Sequence, residues 1–217
     1  MQRLHLPTLI GLGILAIAAA AVPYLFDVSA YVVQMIMQAV TYAVAVLGMV
    51  VVLGYTGQIN LAQAAFFGFG AYGVALGTVA GDLNFWVSLA LGVGTATLAG
   101  LALGMTTIRL GGHYLAMITI SFQQIFDLVL VNWIEVTRGP DGIAGIPRPT
   151  MFGWELADDR AYLLFCAIAL YVLVFAVWWL PNTRLGRAMR SVRENELAAE
   201  VVGVHTLRIK VVAFSLS

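Results

Sequence analysis

Charged side chains are scarce in this 217-residue chain: Asp, Glu, Lys and Arg make up only 10% of it. Hydrophobic residues make up 61%, and the mean hydropathy is +0.93. Soluble domains carry about 25% charged residues, so this composition argues against a soluble globular protein and against a disordered one. The net charge of zero lacks the basic excess of nucleic-acid-binding proteins, and we expect no nucleic-acid partner. The composition instead predicts a chain embedded in a lipid bilayer.

Cysteine and the common catalytic motifs are also nearly absent. The single cysteine, Cys166, cannot form a disulfide within the chain, which excludes a disulfide scaffold. The sequence has no HExxH, GxSxG or Walker lysine motif, and its histidines His5, His113 and His205 are scattered. We therefore predict no metal site and no cofactor, and we do not expect this chain to bind or hydrolyse ATP itself.

Long uncharged stretches indicate membrane-spanning helices, because such a helix needs about 20 apolar residues to cross the bilayer. A seventh apolar segment begins near Ile209 and stops with the sequence at Ser217, so we expect the chain to be a fragment. The predicted fold is an all-α, polytopic transmembrane helical bundle that forms one membrane-spanning domain over residues 1–217. The six complete predicted spans are Thr8–Phe26, Val28–Leu53, Leu61–Ala80, Leu83–Thr107, Tyr114–Ile134 and Ala161–Leu180.

The basic residues divide unevenly between the two sides of the predicted membrane. With a cytoplasmic N-terminus and six alternating spans, eight of the 11 Lys and Arg residues fall inside. Only Arg138, Arg148 and Arg160 fall outside. Because positively charged loops favour the cytoplasm, we predict that the N-terminus and the loop 181–208 are cytoplasmic. Asp158 and Asp159 then lie outside.

A polar, glycine-rich stretch interrupts the apolar sequence between Gly54 and Tyr72. It carries the side-chain amides of Gln58, Asn60 and Gln63. One hypothesis is a discontinuous membrane helix that lines a polar path, since unwound backbone persists in the membrane only inside protein or beside water. The alternative is close packing of small residues combined with an ordinary cytoplasmic turn.

A second polar group lies within the fifth predicted span. Asp127 is the only formal charge well inside any span, and it follows Gln123 by four residues and Gln124 by three. At least one amide therefore shares its helix face. Because an ionisable group in the membrane is costly, this face either lines a path or pairs with a neighbouring helix near its end.

The cytoplasmic loop contains an amphipathic segment between Arg184 and Val204. Its polar face includes Arg187, Arg190, Glu194, Glu196 and Glu200, and its apolar face includes Ala188, Val192, Leu197, Ala198 and Val201. Such a segment lies either on the lipid surface or in a groove of a soluble partner. The like-charged pair Glu196 and Glu200 hints at a basic partner.

Three motifs in order make the chain resemble a known transport family. Glu196–Gly203 looks like the "EAA…G" coupling loop of ABC importer permeases, with Leu197 where the strict motif has glutamate. The wider segments resemble the LivM-type permeases of branched-chain amino acid importers rather than their LivH-type partners. These segments are Gly54–Tyr72, Gly112–Ile120 with Asn132-Trp133 and Gly139–Pro147, and Arg184–Val204.

The resemblance implies a permease subunit of the bacterial plasma (inner) membrane that forms a path for branched-chain or other hydrophobic amino acids. It implies four kinds of partner: the lipid bilayer, a second LivH-like permease subunit, two cytoplasmic ATP-binding subunits, and a periplasmic or extracellular substrate-binding protein. The residues it assigns to ATPase coupling are Arg190, Glu194, Asn195, Glu196, Ala198, Ala199, Glu200 and Gly203. Those predicted for the substrate path are Gln58, Asn60, Gln63, Tyr72, Gln123, Gln124 and Asp127.

Other functions stay open at this point. Related systems import amides, urea or aromatic carboxylates, and this chain has Gln123-Gln124 where LivM-type permeases usually have Gly-Glu. A secondary transporter or channel would also use broken helices and an intramembrane acid. It would not need the Arg-, Glu- and Ala-rich cytoplasmic segment.

Overall fold

The computed structural model describes residues 29–107, 113–151, 154–155 and 158–217, which are helical apart from connectors and one small β-hairpin. Strands β1 (Thr150–Met151) and β2 (Trp154–Glu155) pair antiparallel in that hairpin. The helices are α1 Ala30–Met49, α2 Gln63–Ala75, α3 Phe85–Thr107, α4 His113–Asn132, α5 Ile134–Thr137, α6 Asp159–Trp179, α7 Arg184–Glu194, α8 Glu196–Val201 and α9 Thr206–Leu216.

Irregular helical turns extend several of these helices. A π-helical segment, Val50–Thr56, continues α1, and a second, Leu76–Ala80, continues α2. Short 3₁₀ turns occupy Gly139–Asp141, where the sequence has turn-forming Pro and Gly, and Leu180–Asn182 at the end of α6.

Five helices of the described chain are long and apolar enough to cross a membrane, which confirms the predicted all-α, multi-pass architecture. They are Ala30–Thr56, Gln63–Ala80, Phe85–Thr106, His113–Asn132 and Asp159–Asn182. The predicted span Thr8–Phe26 lies outside the described residues. In the apolar part of each helix, at most 28% of the residues are buried within the protein, so most of the remaining surface faces lipid or other polypeptide.

The chain divides into two compact units. The first comprises residues 1–47 and Thr150–Leu180, and the second comprises Gly48–Pro149 and Pro181–Ser217. In the first unit, Asp158 caps α6 by accepting a hydrogen bond from the backbone N–H of Arg160 at 3.3 Å. The second unit holds all the residues predicted for the path and for coupling. A single permease domain over residues 1–217 stays a prediction.

Small residues bring the helices of the second unit into close contact. Gly73 of α2 faces Gly92 of α3 so closely that a Cβ at Gly73 would overlap the Gly92 backbone. Further along α3, a Cβ at Gly100 would lie 2.5 Å from the carbonyl oxygen of Phe214 in α9. Helices in lipid associate through close backbone packing because lipid tails provide no hydrophobic drive between them. Helix α3 is therefore the element against which both α2 and α9 pack.

The glycine-rich polar stretch forms a connector between two helices. Gly57 ends the π-helical segment in the left-handed conformation, with φ +70°, and residues 58–62 are not helical. From Gln63 to Ala80 the chain is continuously helical, α-helical to Ala75 and π-helical beyond it. The discontinuity predicted from the sequence thus lies between two spans, whereas small residues of α2 pack against α3.

Gly73→Ala tests this close packing, and Gly70→Ala is its matched control one turn away. A Cβ at Gly73 meets the Gly92 backbone, whereas a Cβ at Gly70 meets nothing within 4 Å. We expect Gly73→Ala to destabilise the protein by about 1–3 kcal/mol, as overpacking does. Gly70→Ala should be neutral or stabilising because alanine favours helix by about 1 kcal/mol. Thermal unfolding in detergent measures both, and equal midpoints for the two variants would contradict this packing.

Candidate functional site

Polar side chains surround the start of α2 and accept hydrogen bonds from its backbone. The first N–H groups of a helix have no partner within the helix and need acceptors elsewhere. Asn60 Oδ1 accepts from Ala62 N at 3.0 Å, and Thr119 Oγ1 accepts from Leu61 N at 3.2 Å. Gln123 Oε1 accepts from Ala65 N at 2.5 Å. Two of these three acceptor side chains belong to α4, so α4 holds the N-terminal end of α2 in place.

Asp127 fixes the orientation of the Gln123 amide. Gln123 Nε2 donates to Asp127 Oδ1 at 3.0 Å, one turn along α4. With its NH₂ group on the carboxylate, the amide turns its oxygen toward the N–H of Ala65. The reversed amide would set a donor against a donor at Ala65 and an acceptor against an acceptor at Asp127. The intramembrane acid therefore supports a helix cap.

A second set of bonds joins Asn60 and Gln63 to the end of α9. Asn60 Nδ2 donates to Gln63 Oε1 at 3.3 Å. Ser217 Oγ donates to the same oxygen at 2.7 Å, and Gln63 Nε2 donates to the Ser217 carbonyl at 3.1 Å. Asn60 is only 1% exposed, so this network is part of the protein interior.

The structure therefore brings together four of the seven residues predicted for a substrate path: Asn60, Gln63, Gln123 and Asp127. Gln58 is buried, and its Oε1 has no hydrogen-bond partner among the described residues. Tyr72 lies two turns further along α2, and Gln124 is exposed on α4. The bonds of the four clustered residues stabilise the fold, and their role in a substrate path stays a prediction.

The segment predicted to be cytoplasmic, residues 184–204, consists of two helices separated by Asn195. This residue is extended, with φ −160° and ψ 109°, and its Oδ1 caps α8 by accepting from Ala198 N at 3.0 Å. In α7, Gly186, Met189 and Val192 are buried at three-residue spacing, while the four arginines of this helix are exposed. The α7 helix therefore has the amphipathic arrangement that the sequence predicted.

Helix α8 has the opposite arrangement, which corrects the prediction of one amphipathic face along the whole segment. Its apolar residues point outward: Leu197 is 75% exposed, Val201 88% and the following Val202 76%. Together with the exposed Ala198 we call these four residues the docking face. Ala199, which the family resemblance assigned to ATPase coupling, is buried with 2% exposure. The break at Asn195 rotates α8 relative to α7, so a single helical wheel does not describe both.

The glutamates of α8 are held by α9. Glu196 Oε1 forms an ion pair with Lys210 Nζ at 2.5 Å, and Glu200 Oε1 accepts from Thr206 Oγ1 at 2.6 Å. The sequence suggested that this like-charged pair needs a basic partner. Lys210 of the same chain supplies it.

Gly203 follows the last turn of α8 and ends that helix. Its φ is +84°, its N–H donates to Glu200 O at 2.9 Å, and Val204 N donates to Ala199 O at 3.0 Å. This pair of bonds is a Schellman motif, which glycine favours because it lacks a Cβ. At the other end of the segment, Arg193 Nη1 donates to the carbonyl of Gly54, so α7 is bonded to the π-helical segment that continues α1.

Comparison with known proteins identifies the family. Residues 31–217 match the family described as branched-chain amino acid transport system / permease component. The chain belongs to this family. A transport subunit is the class of protein that membership indicates, and the LivM relatives described next confirm the LivM-type resemblance.

Two curated relatives are permease proteins. The chain is 34% identical over 229 residues to the "high-affinity branched-chain amino acid transport system permease protein LivM" of Salmonella typhimurium, and the LivM of Escherichia coli gives the same identity. Each alignment covers 95% of this chain and 54% of the relative. The chain thus spans about half the length of the curated relatives it matches. No solved structure matches it significantly.

Two contacts of this permease were missed in the sequence analysis. The first, between α8 and α9, had a signal in the sequence. Thr206 and Lys210 stand four residues apart, as do Glu196 and Glu200, with Gly203 between the two pairs. Two short helices joined by a glycine turn would bring these pairs together. The contact between Ser217 and Gln63 has no such signal because 154 residues separate them.

Gln123→Leu tests the cap at the start of α2, with Gln124→Leu as its neighbour control. Gln124 is exposed, and no hydrogen bond within the described residues involves it. Leucine at 123 leaves the N–H of Ala65 without its acceptor, which costs about 1–3 kcal/mol for a buried group. We expect a lower unfolding temperature in detergent for Gln123→Leu only. Equal effects of both substitutions would show that the amide of Gln123 is dispensable.

Proposed function

We propose that this chain is a permease subunit of an ATP-driven importer, with a substrate path for branched-chain or other hydrophobic amino acids. Its partners would be a second LivH-like permease subunit, two cytoplasmic ATP-binding subunits and an extracytoplasmic substrate-binding protein. The observation that carries this proposal is the docking face of α8, an exposed apolar surface on a helix that is bonded to α9, which packs against the candidate span α3. Family membership and the LivM relatives support the substrate class.

A protein groove suits the docking face better than the lipid surface does. Helices that lie on lipid combine their apolar face with Lys and Arg, which attract anionic headgroups. Residues 196–202 contain no Lys or Arg, and their two glutamates are bonded to α9. The apolar side of α7, the helix that does carry arginines, is buried within the protein. We infer that α8 inserts into a groove of an ATP-binding subunit, as amphipathic helices commonly do.

The residues proposed for the path are those of α4 whose side chains stay accessible. Gln124 and Asp127 are exposed at the level of the polar cluster, whereas Asn60 is buried. An acid exposed on a membrane helix is stabilised by water or by a polar partner rather than by lipid. This part of α4 is therefore our proposed contribution to a path shared with the second permease subunit.

The orientation we propose has a cytoplasmic N-terminus and a cytoplasmic 181–208 loop. Single cysteines test it, after the native Cys166 has been replaced by alanine. Glu194→Cys and Asp141→Cys suit this purpose because both positions are exposed and neither side chain caps a helix. In intact cells an impermeant thiol reagent should label Cys at 141 and spare Cys at 194 until the membrane is opened. The reverse pattern would overturn the orientation.

Val201→Arg tests the docking face. Val201 is 88% exposed, so the substitution should leave the fold intact while placing a charge and extra bulk in the proposed interface. We expect the ATP-binding subunits to bind at least tenfold more weakly, about 1.4 kcal/mol. Val201→Thr keeps the branched shape without a charge and should bind nearly normally. Ala199→Arg would instead disturb the fold, because that side chain is buried.

Uptake measurements test the substrate class directly. Native cells lacking this chain, complemented with it or with the Val201→Arg variant, are supplied with radiolabelled leucine. The complemented cells should import leucine in an ATP-dependent manner, and the variant should not. Competition by unlabelled isoleucine and valine is expected, whereas competition only by urea, an amide or an aromatic carboxylate would assign a different importer. Import that persists without ATP would favour a secondary transporter.

A further inference from the structure

We propose that Lys210 is a positioning residue that locks α8 to α9, so that movement of the docking face is transmitted into the membrane through α9. This inference rests on the proposed function, since it concerns how a docked ATP-binding subunit acts on the permease. It adds to that function a residue outside the coupling loop and a defined route for the motion.

Two side-chain bonds join α8 to α9, and they lie one helical turn apart. Glu196 and Glu200 are four residues apart on α8, and they bond respectively to Lys210 and Thr206, four residues apart on α9. The order is antiparallel, and the turn at Gly203 closes the pair. A single attachment would leave α8 free to pivot about that turn. Two attachments one helical turn apart oppose the pivot, so α8 and α9 move as one hairpin.

The ion pair is the stronger of the two attachments because its lysine is nearly buried, whereas its glutamate is partly exposed. The side chain of Lys210 is 10% exposed, whereas that of Glu196 is 43% exposed. An ammonium group removed from water is costly without a charged partner, and Glu196 is the partner it has. Releasing Glu196 would therefore leave an unpaired, nearly buried cation. Glu196 itself loses much less when Lys210 is removed, because water reaches its carboxylate.

Motion of the α8–α9 hairpin would be passed to α3. Helix α9 packs against α3, where Gly100 lies against Phe214 and Gly104 lies against Val211. A displacement of the docking face thus passes from α8 to α9 and then to α3. The extended residue Asn195 separates α8 from α7, which also packs against α9 and is bonded to the π-helical segment after α1 through Arg193 on the Gly54 carbonyl.

Lys210→Met is the test because it removes one of the two attachments, so that α8 can pivot, and leaves Glu196 in water. Arg208→Met is the matched control: Arg208 is an exposed cation on the same helix, and it forms no ion pair within the described residues. The complex of this chain with its second permease, ATP-binding subunits and binding protein is reconstituted in vesicles. The measured quantity is the number of ATP molecules hydrolysed per substrate molecule imported. Lys210→Met should raise this ratio about fivefold or more, the lower end of typical coupling effects.

The charge-swapped pair Glu196→Lys with Lys210→Glu provides the rescue. It should bring the ratio back toward the wild-type value, because the ion pair is rebuilt with opposite polarity, whereas Arg208→Met should leave the ratio unchanged. A residue that only stabilised the fold would lower the amount of complex without changing this ratio.

Three results would overturn the inference while leaving the proposed function intact. The ratio stays at the wild-type value in Lys210→Met, the swapped pair folds without restoring it, or Lys210→Met releases the ATP-binding subunits. The last result would make Lys210 a determinant of assembly. Failure of the proposed function is a different observation, in which the wild-type complex imports no substrate at the expense of ATP.

Discussion

The backbone N–H groups at the start of α2 set the strongest constraint on this permease, because they have no partner within the helix. Within or near a membrane such groups have few water molecules to bond, and each needs an acceptor from the protein. Thr119 and Gln123 of α4, together with Asn60 of the connector, supply those acceptors. The arrangement fixes α4 against α2 and explains the amides of Asn60 and Gln123 and the acid Asp127 in an otherwise apolar sequence. Polar residues in these helices thus stabilise the fold, whether or not they also contact a substrate.

The α7–α8 segment obeys a second constraint, the pairing of its charged side chains with those of α9. Because Glu196 and Glu200 turn toward Lys210 and Thr206, the apolar side of α8 is forced outward. An exposed Leu197 and Val201 would be unfavourable in an isolated subunit and are favourable when another protein covers them. The same bonds that expose the apolar side of α8 also attach it to α9. Under the proposed mechanism, recognition of a partner and transmission of its motion would share one set of side chains.

Much of the fold could be predicted from the sequence because the hydrophobic effect acts on local composition. Uncharged runs gave the positions of the spans, with differences of a few residues at their ends, and Gly203 indicated the end of α8. The site was less predictable. Periodicity suggested that Gln123 and Asp127 share a helix face, which they do, but nothing local indicated that Gln123 caps a different helix. Ala199 was assigned to ATPase coupling by the family resemblance, and only the structure showed that its side chain is buried.

The sequence by itself determined the membrane environment, the helical class and the family, since each follows from composition, run length or motifs that are contiguous in the chain. Only the tertiary structure decided the direction in which each side of α8 faces and the partner of each polar group. Those outcomes depend on contacts between residues that are distant in sequence, such as Leu61 with Thr119 and Gly100 with Phe214. A local pattern specifies that a polar group must be satisfied. The packing of helices decides which atom satisfies it.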